Sequence, residues 1–474
     1  MKKRFIVVGT ALLAAIILSL LGALILPDPY KFQSINNPTE IYELAVSNIA
    51  TSVDLALNVS TTRETSLTNQ LYLEQTQQKL TYYDLGTDSM SASLTETLSI
   101  DNHTVEVSEI FSAGMIYSTV DGSTFKSEAS AQEYQARYSP AVLLDASLYS
   151  FITGGQNRDG YVIFFHNATA AESWTGISTD EFIDAQGIVY IDPDGNITHN
   201  SYTVTYTRAN AQIKQTVSVD ISVPTELIDI PSETDSYIAI DDPDTLRILE
   251  RVSGYLLQSE SIIAYYSDKA YFQAFGDERT QDITLSASQT DKWAATLKTS
   301  ISLTNTGREG EISHLDKTET FKDNIYSVSV NGGEETRNKD ITEDNMRGYC
   351  RDILLGTVML PQHVTSAQIN DQGDTIVVTY TGSDTFAQQI SSSTCQSLYQ
   401  TPDLLEQQAE SYVTDTLQCY VKIDKTLGLP LASGINYSGT YTLEGLPYTL
   451  RFQADQSYII STIETTTNGN EPAG

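Results

Sequence analysis

Basic residues are scarce in this 474-residue chain: 27 Lys and Arg stand against 61 Asp and Glu, a formal net charge of −34. Phosphate backbones are held by clustered Lys and Arg, so this balance argues against a nucleic-acid partner. It equally disfavours docking of the folded body on an anionic lipid surface. No run of five or six like charges occurs, so the acidity is spread as a solvated surface. Cysteine is nearly absent. Cys350, Cys395 and Cys419 match no zinc or redox spacing, and an odd number cannot all pair internally. An exported protein this poor in cysteine does not rely on disulfides. The three read as buried small apolar side chains, with a Cys350–Cys395 pair as the alternative. The five histidines, His103, His166, His199, His314 and His363, show no H-x-x-x-H or H-E-x-x-H spacing. No triad, metal cluster or Gly-rich phosphate loop can be assembled, so no catalytic, cofactor-binding or metal residue is assigned and no cofactor is expected.

Apolar residues are not lacking. They make up 40 % of the chain, against 19 % charged, which is ordinary globular chemistry. Phe5 to Leu26 form one run of 22 residues without a charge, preceded by Lys2, Lys3 and Arg4 and followed by Pro27-Asp28-Pro29. At roughly 1.5 Å per residue a helix of that length crosses a hydrocarbon core. The basic flank predicts a cytoplasmic N-terminus and an extracytoplasmic bulk. The run exceeds the apolar region of a cleaved signal peptide, and no A-x-A site closes it. Residues 1–28 are therefore expected to be a signal anchor, making a single-pass protein of the cell membrane.

The rest of the chain repeats itself. Asn37-Pro38-Thr39-Glu40-Ile41 returns as Asp242-Pro243-Asp244-Thr245-Leu246, and Ile116–Gly122 returns as Ile325–Gly332. Gly160–Phe164 matches Gly373–Val378, and Val189-Tyr190-Ile191-Asp192 matches Val421-Lys422-Ile423-Asp424. The pairs keep their order while their offset grows, as loop insertions would make it, so a tandem duplication is expected. Each Asx-Pro start predicts a helix, burying Ile41, Leu44 and Ile49 in one copy and Leu246, Leu249 and Val252 in the other. Strands with alternating Ser or Thr follow, as in Tyr202-Val204-Tyr206 and Tyr326-Val328-Val330. A second helix is expected on the stripe Leu144, Leu148, Phe151 and Ile152, and its counterpart on Met346, Tyr349, Ile353 and Leu354. Hairpins close each unit at Asp192–Asn196 and Asp424–Gly428.

The expected class is α+β: two tandem units, each a curved antiparallel sheet with helices on one face, after an N-terminal transmembrane helix. The units span residues 36–224 and 242–464, joined by an acidic linker at 225–241 and ending in a polar disordered tail at 465–474. The order of elements, with Tyr117–Gly122 and Val189–Gly195 and their counterparts Tyr326–Gly332 and Val421–Gly428, resembles the LolA/LppX/LprG type of envelope lipoprotein. That resemblance implies a sheet curled into a half-barrel whose helices cover an apolar face able to hold lipid chains. It implies no ligand-binding side chains.

Two short motifs suggest other chemistry. Ser123-Thr124-Phe125-Lys126 spells S-x-x-K, but it follows a strand-turn and has no S-D-N or K-T-G partner. Asp192-x-Asp194-Gly195-Asn196 starts like a calcium loop, yet its twelfth position is Thr203. Both read as turns. The expected function is a membrane-anchored extracytoplasmic binding protein, not an enzyme, holding lipid or another apolar molecule between sheet and helices. The alternative is a non-catalytic structural module that engages envelope proteins.

Overall fold

Inward positions on the strands are occupied by Leu, Val, Ile and Tyr, while Ser, Thr and Gln fill the outward ones, the pattern that buries one sheet face and wets the other. In Ser91–Ile100, for example, Ala92, Leu94, Glu96, Leu98 and Ile100 are buried, and the Ser and Thr residues between them are not. The structure is a computed structural model. It describes residues 33–460 apart from 68–69, 101–102, 138–151, 168–180, 209–210, 260, 274–275, 290–291, 306–311, 359–360, 400–410 and 426.

The first sheet has thirteen strands. These are β1 (Gln33–Ser34), β2 (Leu55–Leu67), β3 (Gln70–Tyr83), β4 (Ser91–Ile100), β5 (His103–Ser112), β6 (Met115–Val120) and β7 (Ser123–Glu128). There follow β8 (Ile152–Asn157), β9 (Gly160–Asn167), β10 (Phe182–Ile191), β11 (Ile197–Arg208), β12 (Ala211–Ser222) and β13 (Ile238–Ala239). The second sheet has eleven. It begins with β14 (Ile262–Phe272), β15 (Asp277–Gln289), β16 (Trp293–Asn305), β17 (Ile312–Lys322), β18 (Ile325–Val330) and β19 (Thr336–Asn338). It ends with β20 (Val364–Asp371), β21 (Thr375–Gly382), β22 (Ser411–Asp424), β23 (Pro430–Leu443) and β24 (Leu446–Ile459). Five α-helices lie among the described residues: α1 (Pro38–Ala50), α2 (Ala131–Arg137), α3 (Asp244–Gln258), α4 (Glu343–Leu355) and α5 (Asp384–Tyr399).

Both sheets are built the same way. A meander runs out from the opening strand, and the closing strand returns to pair with that opening strand, β12 with β2 and β24 with β14. The turn after β6 and the turn after β18 also match in detail. Asp121 and Gly122 take positive φ, as do Asn331 and Gly332. Asp121 N–H donates to the Glu106 carbonyl while its carboxylate accepts from Glu106 N–H; likewise Asn331 N–H donates to the Asp316 carbonyl while its side-chain amide oxygen accepts from Asp316 N–H.

The expected α+β class with a transmembrane helix is corrected. Of the described residues 62 % are strand and 17 % helix, so the architecture is two large sheets with few helices. Among the described residues no helix is long and apolar enough to cross a membrane. Residues 1–28 lie outside the described residues, as do the 465–474 tail and Leu144, Leu148 and Phe151 of the expected helix; Ile152 opens β8. Helix α1 starts at Pro38 as expected, but it buries Tyr42, Ala45 and Ile49 while Leu44 is 62 % exposed. Tyr42, Ala45 and Ile49 join the apolar core instead, on a helix that packs against β8 and β11. The segment 225–241 is tied down: β13 pairs in parallel with β7, and Lys126 Nζ reaches the Thr234 carbonyl. Cys350 and Cys419 are buried free thiols, and the Cys395 side chain lies outside what is described.

Candidate functional site

The inner face of the first sheet is apolar at both ends and polar across its middle. Inward positions on β5 read Val105, Val107, Glu109 and Phe111, and on β4 Leu94, Glu96 and Leu98, all buried. Glu74 is buried likewise on β3, between Tyr72 and the pair Leu80 and Tyr82. Three carboxylates therefore occupy positions that strand alternation reserves for the core. Cross-strand pairing sets Gln78 opposite Glu96, Arg63 opposite Glu74, and Gln215 opposite Arg63, which extends the polar belt across β12.

A buried carboxylate stays ionised only beside a partner, and α3 supplies partners from one face. Asp244, Arg247, Arg251 and Tyr255 fall three or four residues apart, which stacks them along the helix. Arg247 Nη1 lies 2.9 Å from both Glu109 Oε1 and Asp244 Oδ1, and its Nε lies 3.3 Å from Glu96 Oε1. Arg251 Nη2 donates to Glu74 Oε1 at 2.8 Å, and Tyr255 Oη donates to Glu74 Oε2 at 2.9 Å. Burial, then the Glu74 charge, raises the Tyr255 phenol, which keeps it a neutral donor. Arg137 of α2 pairs with Asp242 and Asp244. Burial pushes Asp244 up, but the two guanidiniums outweigh it and hold the carboxyl below its ordinary value. Further along α3, Glu250 meets His103 Nε2 at 2.8 Å, and that hydrogen bond raises the imidazole against the opposing effect of burial.

Between the belt and α3 lies a chamber of about 540 Å³. That is room for one small molecule. Its wall changes character along the strands. Leu57, Val59 and Leu80 line one end, with Ile248, Ile376 and Ile423 facing in from α3, β21 and β22. Thr61, Arg63, Glu74, Thr76 and Gln215 line the other. The chamber expected to be apolar thus carries a polar belt beside its apolar wall.

The second sheet holds a smaller chamber of about 250 Å³ under α4 and α5. Strand registers counted inward from the Asp121–Gly122 and Asn331–Gly332 turns place Glu319 at the position of Glu109 and Phe321 at that of Phe111. Continued across the sheet, they place Tyr266, Asp268, Arg279, Gln281, Ile283 and Phe452 at the positions of Val59, Thr61, Glu74, Thr76, Gln78 and Gln215. All twelve line their respective chambers. In the second chamber Arg279 Nη2 donates to Asp268 Oδ1 at 2.6 Å, while Tyr266 Oη donates to Oδ2 at 2.8 Å. A carboxylate gripped by one arginine and one tyrosine thus occurs in both.

The short motifs lie elsewhere. Ser123 and Lys126 are on β7, where residues three apart point to opposite faces, so the pair is not convergent. The Asp192 carboxylate is used within its own turn, accepting from Asp194 N–H at 2.9 Å and Asn196 N–H at 2.8 Å. Among the described residues no group of three or more His, Cys, Asp or Glu is placed to hold a metal ion.

No family model matches the chain, and no curated protein matches it. Solved structures with some likeness include LprF from Mycobacterium bovis, at 12 % identity and a TM-score of 0.25, covering 49 % of this chain and 99 % of that one. LprF has the LolA/LprG-like lipoprotein fold. A putative AttH from Nitrosomonas europaea is 8 % identical with a TM-score of 0.15, covering 91 % of this chain and 98 % of that one. OccK3 (OpdO) from Pseudomonas aeruginosa is 7 % identical with a TM-score of 0.11, covering 86 % and 95 %. Likeness of this degree assigns the chain neither a family nor a function.

Proposed function

We propose that this chain is a non-catalytic extracytoplasmic binding protein that holds a small amphiphilic molecule between its first sheet and α3, and that it arose from two copies of one unit. The observation that carries the reading is the pair of register-equivalent chambers, each left open where sheet and helices would otherwise pack flush. A scaffold needs no such space, because filling it would add roughly 25 cal/mol of stability per Å² of apolar surface buried. The wall chemistry favours an amphiphile over a wholly apolar guest, since burying Thr61, Thr76 and Gln215 against hydrocarbon leaves hydrogen bonds unmade. Placement outside the cell is supported by the uncharged run Phe5–Leu26 after Lys2, Lys3 and Arg4, and by the scarcity of cysteine. The test is mass spectrometry of an organic extract of the full-length protein purified from its own membranes. One amphiphile enriched about stoichiometrically over a mock purification supports the reading, and repeated absence of any such species counts against it.

A further inference from the structure

We infer that the outer face of the second sheet holds a groove for a neutral oligosaccharide, running across β20 to β24 with the ring of Tyr420 as its platform. The groove lies on the opposite side of that sheet from the second chamber, so it does not depend on the binding reading above.

Strand alternation builds the groove, a depression of about 520 Å³. Cross-strand registers align Gln368, Thr379, Tyr420, Gly434 and Asp455 in one row. The next row holds Ser366, Thr381, Gln418, Asn436 and Gln453. Side chains in both rows point outward, because the residues between them, Tyr380, Cys419, Ile435 and Ala454, are buried on the core side. With strands about 4.8 Å apart and the rows two residues apart, the two rows cover about 19 Å by about 7 Å. A surface of that shape suits an extended ligand laid across the strands.

Gly434 lets Tyr420 lie down on the sheet. A Cβ at Gly434 would come within 2.4 Å of Tyr420 Cε1, so the ring covers the backbone of β23. Its Oη reaches on to β24 and donates to Asp455 Oδ1 at 3.0 Å, while Gln453 Nε2 donates to Asp455 Oδ2 at 3.2 Å. A ring tied at both ends presents apolar area at little further cost in conformational freedom. Counted from the matched Val189 and Val421, the corresponding row of the first sheet is Thr153, Phe164, Ile188, Ser201 and Ser218. It has neither the glycine nor the tyrosine, so the arrangement is peculiar to the second sheet.

The lining decides the class of ligand. It contains no Lys or Arg, and Asp455 is its one charge, so it matches neither a polyanion nor a polycation. Tyr420 is its one outward aromatic and no outward aliphatic side chain stands beside it, which leaves a protein partner without anchors to bury. The other outward groups are amides and hydroxyls, from residues such as Gln368, Thr379, Gln418 and Asn436. Such groups both donate and accept. Sugar hydroxyls do the same, and the C–H face of a sugar ring packs on an aromatic face.

The experiment uses the full-length protein in nanodiscs of zwitterionic phosphatidylcholine, titrated calorimetrically with hexasaccharides that differ in charge. Cellohexaose, mannohexaose and N-acetylated chitohexaose are neutral, hexagalacturonate is anionic, and the chitosan hexamer is cationic. At least one neutral probe is expected to bind at least about tenfold more tightly than either charged one. Tyr420→Ala is expected to weaken that probe by at least about tenfold, and Tyr420→Phe, which keeps the ring, by no more than about threefold. Asn436→Ala, at an exposed position, is expected to weaken it by at least about threefold. Thr97→Ala, on the outer face of the first sheet, should leave it unchanged. Thermal unfolding of each variant within a few degrees of wild type separates lost recognition from lost folding. Asn436→Ala decides the matter if Tyr420→Ala does not fold. Absence of binding by every neutral probe overturns the inference and leaves the chamber reading as it stands. Binding that Tyr420→Ala and Asn436→Ala do not alter also overturns it, because the sugar then sits elsewhere. Hexagalacturonate bound as tightly as the best neutral probe overturns the neutral class.

Discussion

Arg247 Nη1 lies 2.9 Å from Glu109 Oε1 in the interior, although Arg247 opens the second half of the chain and Glu109 stands on the first sheet, with Glu109 only 1 % exposed. A buried pair adds little net stability over apolar packing, but removing one partner strands the other charge. Arg247→Met should therefore destabilise by roughly 3–5 kcal/mol in urea unfolding. Adding Glu96→Gln and Glu109→Gln should recover much of that loss, because the stranded charges go with them. A triple variant no more stable than Arg247→Met would show that the pairs do not act as a unit.

His103 and Glu250 make stability depend on pH. The imidazole is raised above its ordinary 6.5, chiefly by its hydrogen bond to Glu250, with the charges of Glu250 and Asp121 adding to it against burial. A raised pKa contributes stability that is fully present below the unfolded value and is lost as pH rises through the folded one. His103→Gln should therefore destabilise more at pH 5.5 than at pH 8.5, measured by urea midpoints. A larger loss at pH 8.5 would contradict the assignment.

Gly122 and Gly332 hold equivalent positive-φ positions, with φ of +83° and +69°, and an added Cβ meets nothing within 4 Å at either. Any penalty for alanine is thus backbone strain alone. Gly122→Ala and Gly332→Ala should each cost roughly 1 kcal/mol. Penalties that differ by several-fold in chemical denaturation would mean that the two turns are not the same device.

Burial pushes both the Cys350 and Cys419 thiols up to about 12, with Glu319 adding to the effect at Cys350. The thiolate is the reactive form, so neither should react with an aromatic disulfide reagent in the native protein at pH 8. Native protein should release at most one equivalent of thiol. Rapid release of two or more would refute the burial.

Local chemistry was readable in the sequence wherever neighbours alone decide it. The turns at Asp121–Gly122 and Asp192–Asn196 and the start of α1 follow from residues within a few positions. Leu246, Leu249 and Val252 are buried as their periodicity implies. Leu44 is exposed where its spacing predicts burial, because hydrophobic spacing does not say which of two overlapping stripes meets the sheet. The polar belt left a visible trace, in that Glu96 interrupts Leu94 and Leu98, and Glu109 interrupts Val107 and Phe111, in the core phase of their strands. Its partners left none. Arg251 lies 177 positions from Glu74, and Arg247 lies 151 from Glu96, so only the folded chain brings them together.

Blocking the chamber without touching its charges is the most direct test of the binding account. Thr76 points into the chamber from the middle of β3, between Glu74 and Gln78, and a strand tolerates tryptophan there. Calorimetric titration of wild type and Thr76→Trp with the amphiphile enriched in its organic extract should show at least about a tenfold loss of affinity at unchanged melting temperature. Equal binding by the two proteins would contradict the claim that the chamber is where this chain holds its ligand.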